Sequence, residues 1–170
     1  MTQVIATSLG GLCFAAAMVW AAIRDVGTMR IRNALVLFLL AAYALLAPLS
    51  GQGVAPIGLS AGFAALILVC MMAFFTLGWI GGGDAKLAAV ASLWLGPAQA
   101  FPYLLYTALF GGVLTLVILQ LRAVPLPAHC RSIPWIARLH DPKSRIPYGV
   151  AIASGALYVL PKTHWMTVAF

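Results

Sequence analysis

Glutamate is absent from this chain, and aspartate occurs only three times, at Asp25, Asp84 and Asp141. Charged residues of either sign make up 8% of the 170 residues against 64% hydrophobic, and mean hydropathy is +1.04. So little polar surface excludes an ordinary water-soluble domain. Cysteine is scarce and scattered. Cys13, Cys70 and Cys130 form no C-x-x-C pair, and the first two lie inside apolar runs, so neither a disulfide framework nor a thiol zinc site is expected. His129 beside Cys130, with His140 further on, supplies too few ligands at zinc-type spacing. No metal and no cofactor are assigned. Short segments of alternating polarity are also missing, which excludes a membrane barrel, and the backbone amides of a lipid-embedded chain then have to be paired within helices.

What is present is a series of apolar runs. The first extends from Val4 to Ile23, about the ~30 Å needed to cross a hydrocarbon core. The second, Ala34 to Leu49, reaches a turn at 50–56 that contains Gly and Pro, and the third runs from Ile57 to about Ile80. After Gly81-Gly82-Gly83-Asp84, the stretch Ala85 to Leu95 reads as a short helix stopped by Gly96-Pro97. A fifth run covers Ala98 to Leu121, and a polar segment, 122–145, separates it from a last run, Ile146 to Leu160. Gly58-x-x-x-Gly62 permits close helix packing, within the chain or between copies, and sets no oligomeric state.

Positive charge precedes the apolar core of a cleavable signal, but Met1 to Gln3 carry no charged side chain, and Arg24, Arg30 and Arg32 follow the first run. That pattern predicts an outward amino terminus. Six crossings from there put 24–33, 80–86 and 122–146 on the cytoplasmic side. These linkers hold every Lys and Arg except Lys162, as the positive-inside rule requires. The expectation is therefore an all-α integral membrane protein, a six-helix transmembrane bundle forming a single domain over 1–170. The net charge of +7 is read as a topology signal for a lipid bilayer, and no nucleic-acid partner is indicated.

With so few acids, their placement is informative. Asp25 closes the first run and Asp84 opens the fourth, which brings both to one membrane edge. Ionisable groups at that depth are costly unless paired or hydrated. Each also has a structural reading: Asp84 as a helix N-cap, Asp25 as a helix end or a neutraliser of Arg24, and Asp141-Pro142 as a turn. Taken together, Asp25 and Asp84 fit an aspartic peptidase, one carboxylate activating water and the other, protonated, donating to the scissile carbonyl. A helix N-terminus and nearby Lys86 both favour the anion of Asp84, which is expected to be the more readily ionised partner. The glycines would admit an extended substrate strand and permit unusual dihedrals, or would simply form a flexible turn.

Asp25 followed by Ile31-Arg32-Asn33, then Gly81-Gly82-Gly83-Asp84-Ala85-Lys86-Leu87, then Ile146-Pro147-Tyr148-Gly149, resemble the type IV prepilin peptidase family over nearly the whole chain. The resemblance implies Asp25 and Asp84 as catalytic, with Gly81, Gly83, Lys86 and Asn33 as supporting motif residues. It implies a prepilin or pseudopilin substrate, cleaved on the cytoplasmic side just after a Gly that precedes its hydrophobic segment. Arg32 departs from the pattern, since relatives commonly carry Pro there. The chain lacks the amino-terminal extension with paired cysteines found in bifunctional relatives, so no methyltransferase activity is expected. The compact form is similar to the peptidases of tight-adherence (Flp) pilus systems, which implies a bacterial inner membrane. The competing expectations are a transporter or channel that relays protons through Asp25 or Asp84, and a noncatalytic assembly subunit.

Overall fold

A computed structural model describes residues 1–167. The chain is helical: α1 (Thr2–Thr28), α2 (Asn33–Leu49), α3 (Val54–Thr76), α4 (Gly82–Leu95), α5 (Pro97–Ala123), α6 (Ala128–Arg131), α7 (Pro134–His140), α8 (Tyr148–Val159), a 3₁₀ turn (Leu160–Lys162) and α9 (His164–Thr167). Segment 122–146, expected as a polar loop, carries the two short helices α6 and α7.

The expected six-span bundle is corrected. Among the described residues three helices, α1, α3 and α5, are long and apolar enough to cross a membrane. This makes the chain a multi-pass membrane protein. The other three candidates fall short: α2 has 17 residues, α4 has 14 and α8 has 12. At 1.5 Å per residue these reach only about 26, 21 and 18 Å against a core of ~30 Å. Their apolar character has another cause. Ala85 and all of 87–95 are buried, so α4 is hydrophobic around its whole circumference because other helices surround it. Much of α8 is likewise buried through Gly149, Ala151, Ile152, Ala153, Gly155, Ala156 and Val159. The placement of 80–86 and 122–146 on one side was counted from six crossings and lapses with them.

Two short inner helices are thus enclosed by longer ones: α4 packs on α2, α3, α5 and α8, while α8 also contacts α1 and α5. Small residues permit the close approach. A Cβ on Gly155 would run into the Thr107 backbone of α5, at 2.8 Å from its nitrogen. On α3 only Ser60 and Ile67 are buried, while Leu59, Leu66 and Val69 point outward, as a lipid-facing helix requires. The core is richest in rings at the end of α4 remote from Asp84. Trp94 stacks on Phe14 at 5.3 Å and meets Tyr43 and Trp165. Trp165 Nε1 donates to the Trp94 carbonyl at 2.7 Å, and Trp94 Nε1 to the Leu39 carbonyl at 3.1 Å, so the buried indole donors are satisfied.

Candidate active site

Asp25 lies in the last turn of α1 and is only 4% exposed. The helix ends just beyond it. Met29 adopts the left-handed conformation (φ 53°) and donates its N–H to the Asp25 carbonyl at 2.7 Å, turning the chain toward Ile31. The Asp25 side chain points the other way, where the backbone N–H of Gly149 donates to Oδ2 at 2.7 Å. Gly149 is the second residue of α8, and its amide is one of the helix-start donors that lack a partner within the helix. A side chain there is excluded on geometric grounds: a Cβ would stand 2.7 Å from Asp25 Oδ2 and 3.0 Å from Ile31 Cδ1.

Asp84 sits in the first turn of α4, after the N-cap Gly81. Burial pushes its pKa up from 3.8 to about 7, and the negative charge of Asp25 adds to the rise. The Gly81 amide and the Arg145 guanidinium hold it back. Asp84 also lines a cleft of about 510 Å³ together with Gly78, Trp79, Gly81, Arg122, Arg145 and Tyr148. Asp25 is closed off behind it. The arrangement can therefore hold one proton near neutral pH on a carboxyl that reaches the cleft, beside a second carboxyl that does not.

The preference expected for the Asp84 anion does not fit this environment. Lys86 donates to Asn33 Oδ1 at 3.1 Å, tying α4 to the first turn of α2, and Arg145 is the cation that acts on the carboxyl. Desolvation outweighs both Arg145 and the helix start. The glycines also differ from expectation. The positive φ angles lie at Gly51, Gly78 and Gly96, whereas Gly81 is extended at φ −77°. Gly81 and Gly83 serve close approach instead: a Cβ at 81 would be 2.8 Å from Asp84 Oδ2, and one at 83 would be 3.1 Å from Ile31 Cβ.

Asp141 forms a turn, its Oδ1 accepting the Lys143 N–H at 2.9 Å, away from the other two acids. Among the described residues no three His, Cys, Asp or Glu side chains group as metal ligands. Arg145 was not singled out from the sequence, because it is one of several basic residues in its segment. Gly149 acts through a backbone amide, which has no side-chain signature, and only its Pro147-Tyr148-Gly149 context marks it.

Residues 12–116 match the model of the Type IV leader peptidase family, a stretch that includes Asp25, Asn33 and Gly81 to Lys86. Comparison with curated proteins and with solved structures gives no match.

Proposed function

Because the chain belongs to the Type IV leader peptidase family, we propose that it is an aspartic endopeptidase that removes the leader of prepilins or pseudopilins of the Flp type. Asp84, whose pKa lies about 7, holds the catalytic proton and delivers it toward the scissile carbonyl. Asp25 is the partner that takes a proton from the attacking water, which has to enter past Asp84 because Asp25 itself does not line the cleft. Such a pair needs its two proton affinities separated, and the negative charge of Asp25, added to burial, favours the proton on Asp84. Gly81 leaves room beside the Asp84 carboxyl and Gly83 lets α4 close on Ile31, while Lys86 and Asn33 brace the helix that carries it.

The observation that supports this reading is the electrostatic coupling of two carboxyls remote in sequence, Asp84 lining the cleft and Asp25 buried close enough to act on it. Basic residues gather near the acids: Arg24, Lys86 and Arg122 lie near the ends of α1, α4 and α5, and Arg30, Arg32 and Arg145 in the connections that precede α2 and α8. They argue for the cytoplasmic face of a bacterial inner membrane as the place of cleavage. Incubating purified protein in detergent with a Flp-type prepilin tests the proposal. A shift by the leader's mass is expected, and it should vanish in Asp25→Ala and in Asp84→Ala. Unchanged cleavage in either variant contradicts the mechanism.

A further inference from the structure

Arg24 and Arg32 flank a small cleft between the end of α1 and the start of α2, walled by Trp20, Ile31 and Leu35 and about 200 Å³ in volume. Its chemistry is incomplete. Arg24 Nε is buried and has no hydrogen-bonding partner, a state that ordinarily costs stability. None of the three acids of the chain serves as counter-ion. Asp25 directs its carboxylate to Gly149, Asp84 is engaged with Gly81 and Arg145, and Asp141 caps its own turn. Two permanent cations therefore line one cavity, and neither has an acid of this chain as its partner.

The setting narrows the ligand. Arg24 belongs to the closing turn of a membrane-spanning helix, and Trp20, one turn deeper on that helix, is 56% exposed on its outer surface. Tryptophan at that level is typical of the headgroup boundary of a bilayer, where amphipathic rings settle. The planar guanidinium fork matches phosphate oxygens.

We propose that this cleft binds the phosphate of an anionic phospholipid headgroup, with Arg24 and Arg32 as its ligands and Trp20 alongside the glycerol and upper acyl chains. Ile31 gives the site a purpose beyond anchoring. One face of this residue lines the cleft, and the same residue backs Gly83 and Gly149, next to the two buried acids. A bound headgroup fixes the α1–α2 turn, and with it the packing that positions Asp25 and Asp84.

Native mass spectrometry of the delipidated full chain, titrated with phosphatidylglycerol, tests the assignment. One tightly retained lipid is expected. Its affinity should fall on the order of tenfold in the Arg24→Gln/Arg32→Gln double variant and less in Arg32→Gln alone. The single variant alters an exposed side chain and keeps the test open if the double one does not fold. Arg30→Gln, outside the cleft, should bind as the parent does. Equal loss in Arg30→Gln, or undiminished binding in the Arg32 variant, overturns the proposal. Displacement of the lipid by millimolar inorganic phosphate overturns the lipid assignment, because a free anion would then suffice.

Discussion

The backbone N–H of Gly149 meets Asp25 Oδ2 at 2.7 Å, joining the start of α8 to the end of α1 across 124 residues of sequence. The contact fixes one oxygen of a carboxyl that is otherwise sealed from solvent. A methyl group at 149 would occupy the place of that contact and press on Ile31. Gly149→Ala is expected to lower peptidase turnover on the order of 10²-fold through misplacement of Asp25. Overpacking should cost about 1–3 kcal/mol of stability. Turnover and thermal unfolding measured on one preparation separate the two effects, and full activity would show that the contact is dispensable.

The raised pKa of Asp84 sets a direction for stability against pH. Unfolded, this carboxyl titrates near the usual ~3.9, whereas folded it titrates at about 7. Between these values the folded chain keeps a proton that the unfolded chain has released. Its contribution is thus fully present below pH ~4, declines as pH rises toward ~7 and changes no further above that. Asp84→Asn should remove this slope from unfolding curves recorded across the window. A parent protein that gains stability from Asp84 over the same interval would contradict the assignment.

Activity should follow the same proton. If Asp84 supplies the acid, kcat/KM declines as pH rises through about 7. Arg145 holds that pKa down, so Arg145→Gln should move the alkaline limb upward, while Arg145→Lys should restore most of its position. Complete pH–rate profiles of the three proteins decide this, and an unmoved limb in Arg145→Gln would remove Arg145 from the electrostatics of the site.

Lys86 and Asn33 are partners in an exposed hydrogen bond of 3.1 Å. Exposed charged contacts are worth little, and a double-mutant cycle with Lys86→Ala and Asn33→Ala should give a coupling under ~1 kcal/mol. Peptidase activity in each single variant should stay within a few-fold of the parent. A coupling well above that bound would mean that the pair does more than brace α4.

Trp165 is fully buried, bonded to the Trp94 carbonyl and laid against Gly10 of α1. Trp165→Ala should cost about 3–5 kcal/mol, read from thermal unfolding in detergent, with the Asp25 to Gly149 end less affected. A loss under 1 kcal/mol would show that the ring layer is not a main support of the fold.

Several of these features could be read from the chain and others could not, for physical reasons. Acids are so few that Asp25 and Asp84 stood out at once, and both adjoin helix ends as their flanking runs indicated. The spans misled because an apolar run records only that water is excluded. Apart from Lys86, Ala85 to Leu95 is shielded by protein, whereas Val54 to Thr76 faces outward over most of its surface, yet both read as apolar runs. Charge arithmetic failed at Asp84 for a related reason: sequence shows the neighbouring Lys86 but not the desolvation that outweighs it. Arg145 acts only through a loop whose path depends on Arg122 bonding the carbonyls of Leu139 and Ser144.

The packed rings of Phe14, Tyr43, Trp94 and Trp165 also decide which end of the bundle is open. Trp94 is ten residues along α4 from Asp84, about 15 Å down its axis, so the ring layer and the acids stand at opposite ends of that helix. Side chains plug the one end, and the Asp84 carboxyl is reached through the cleft at the other.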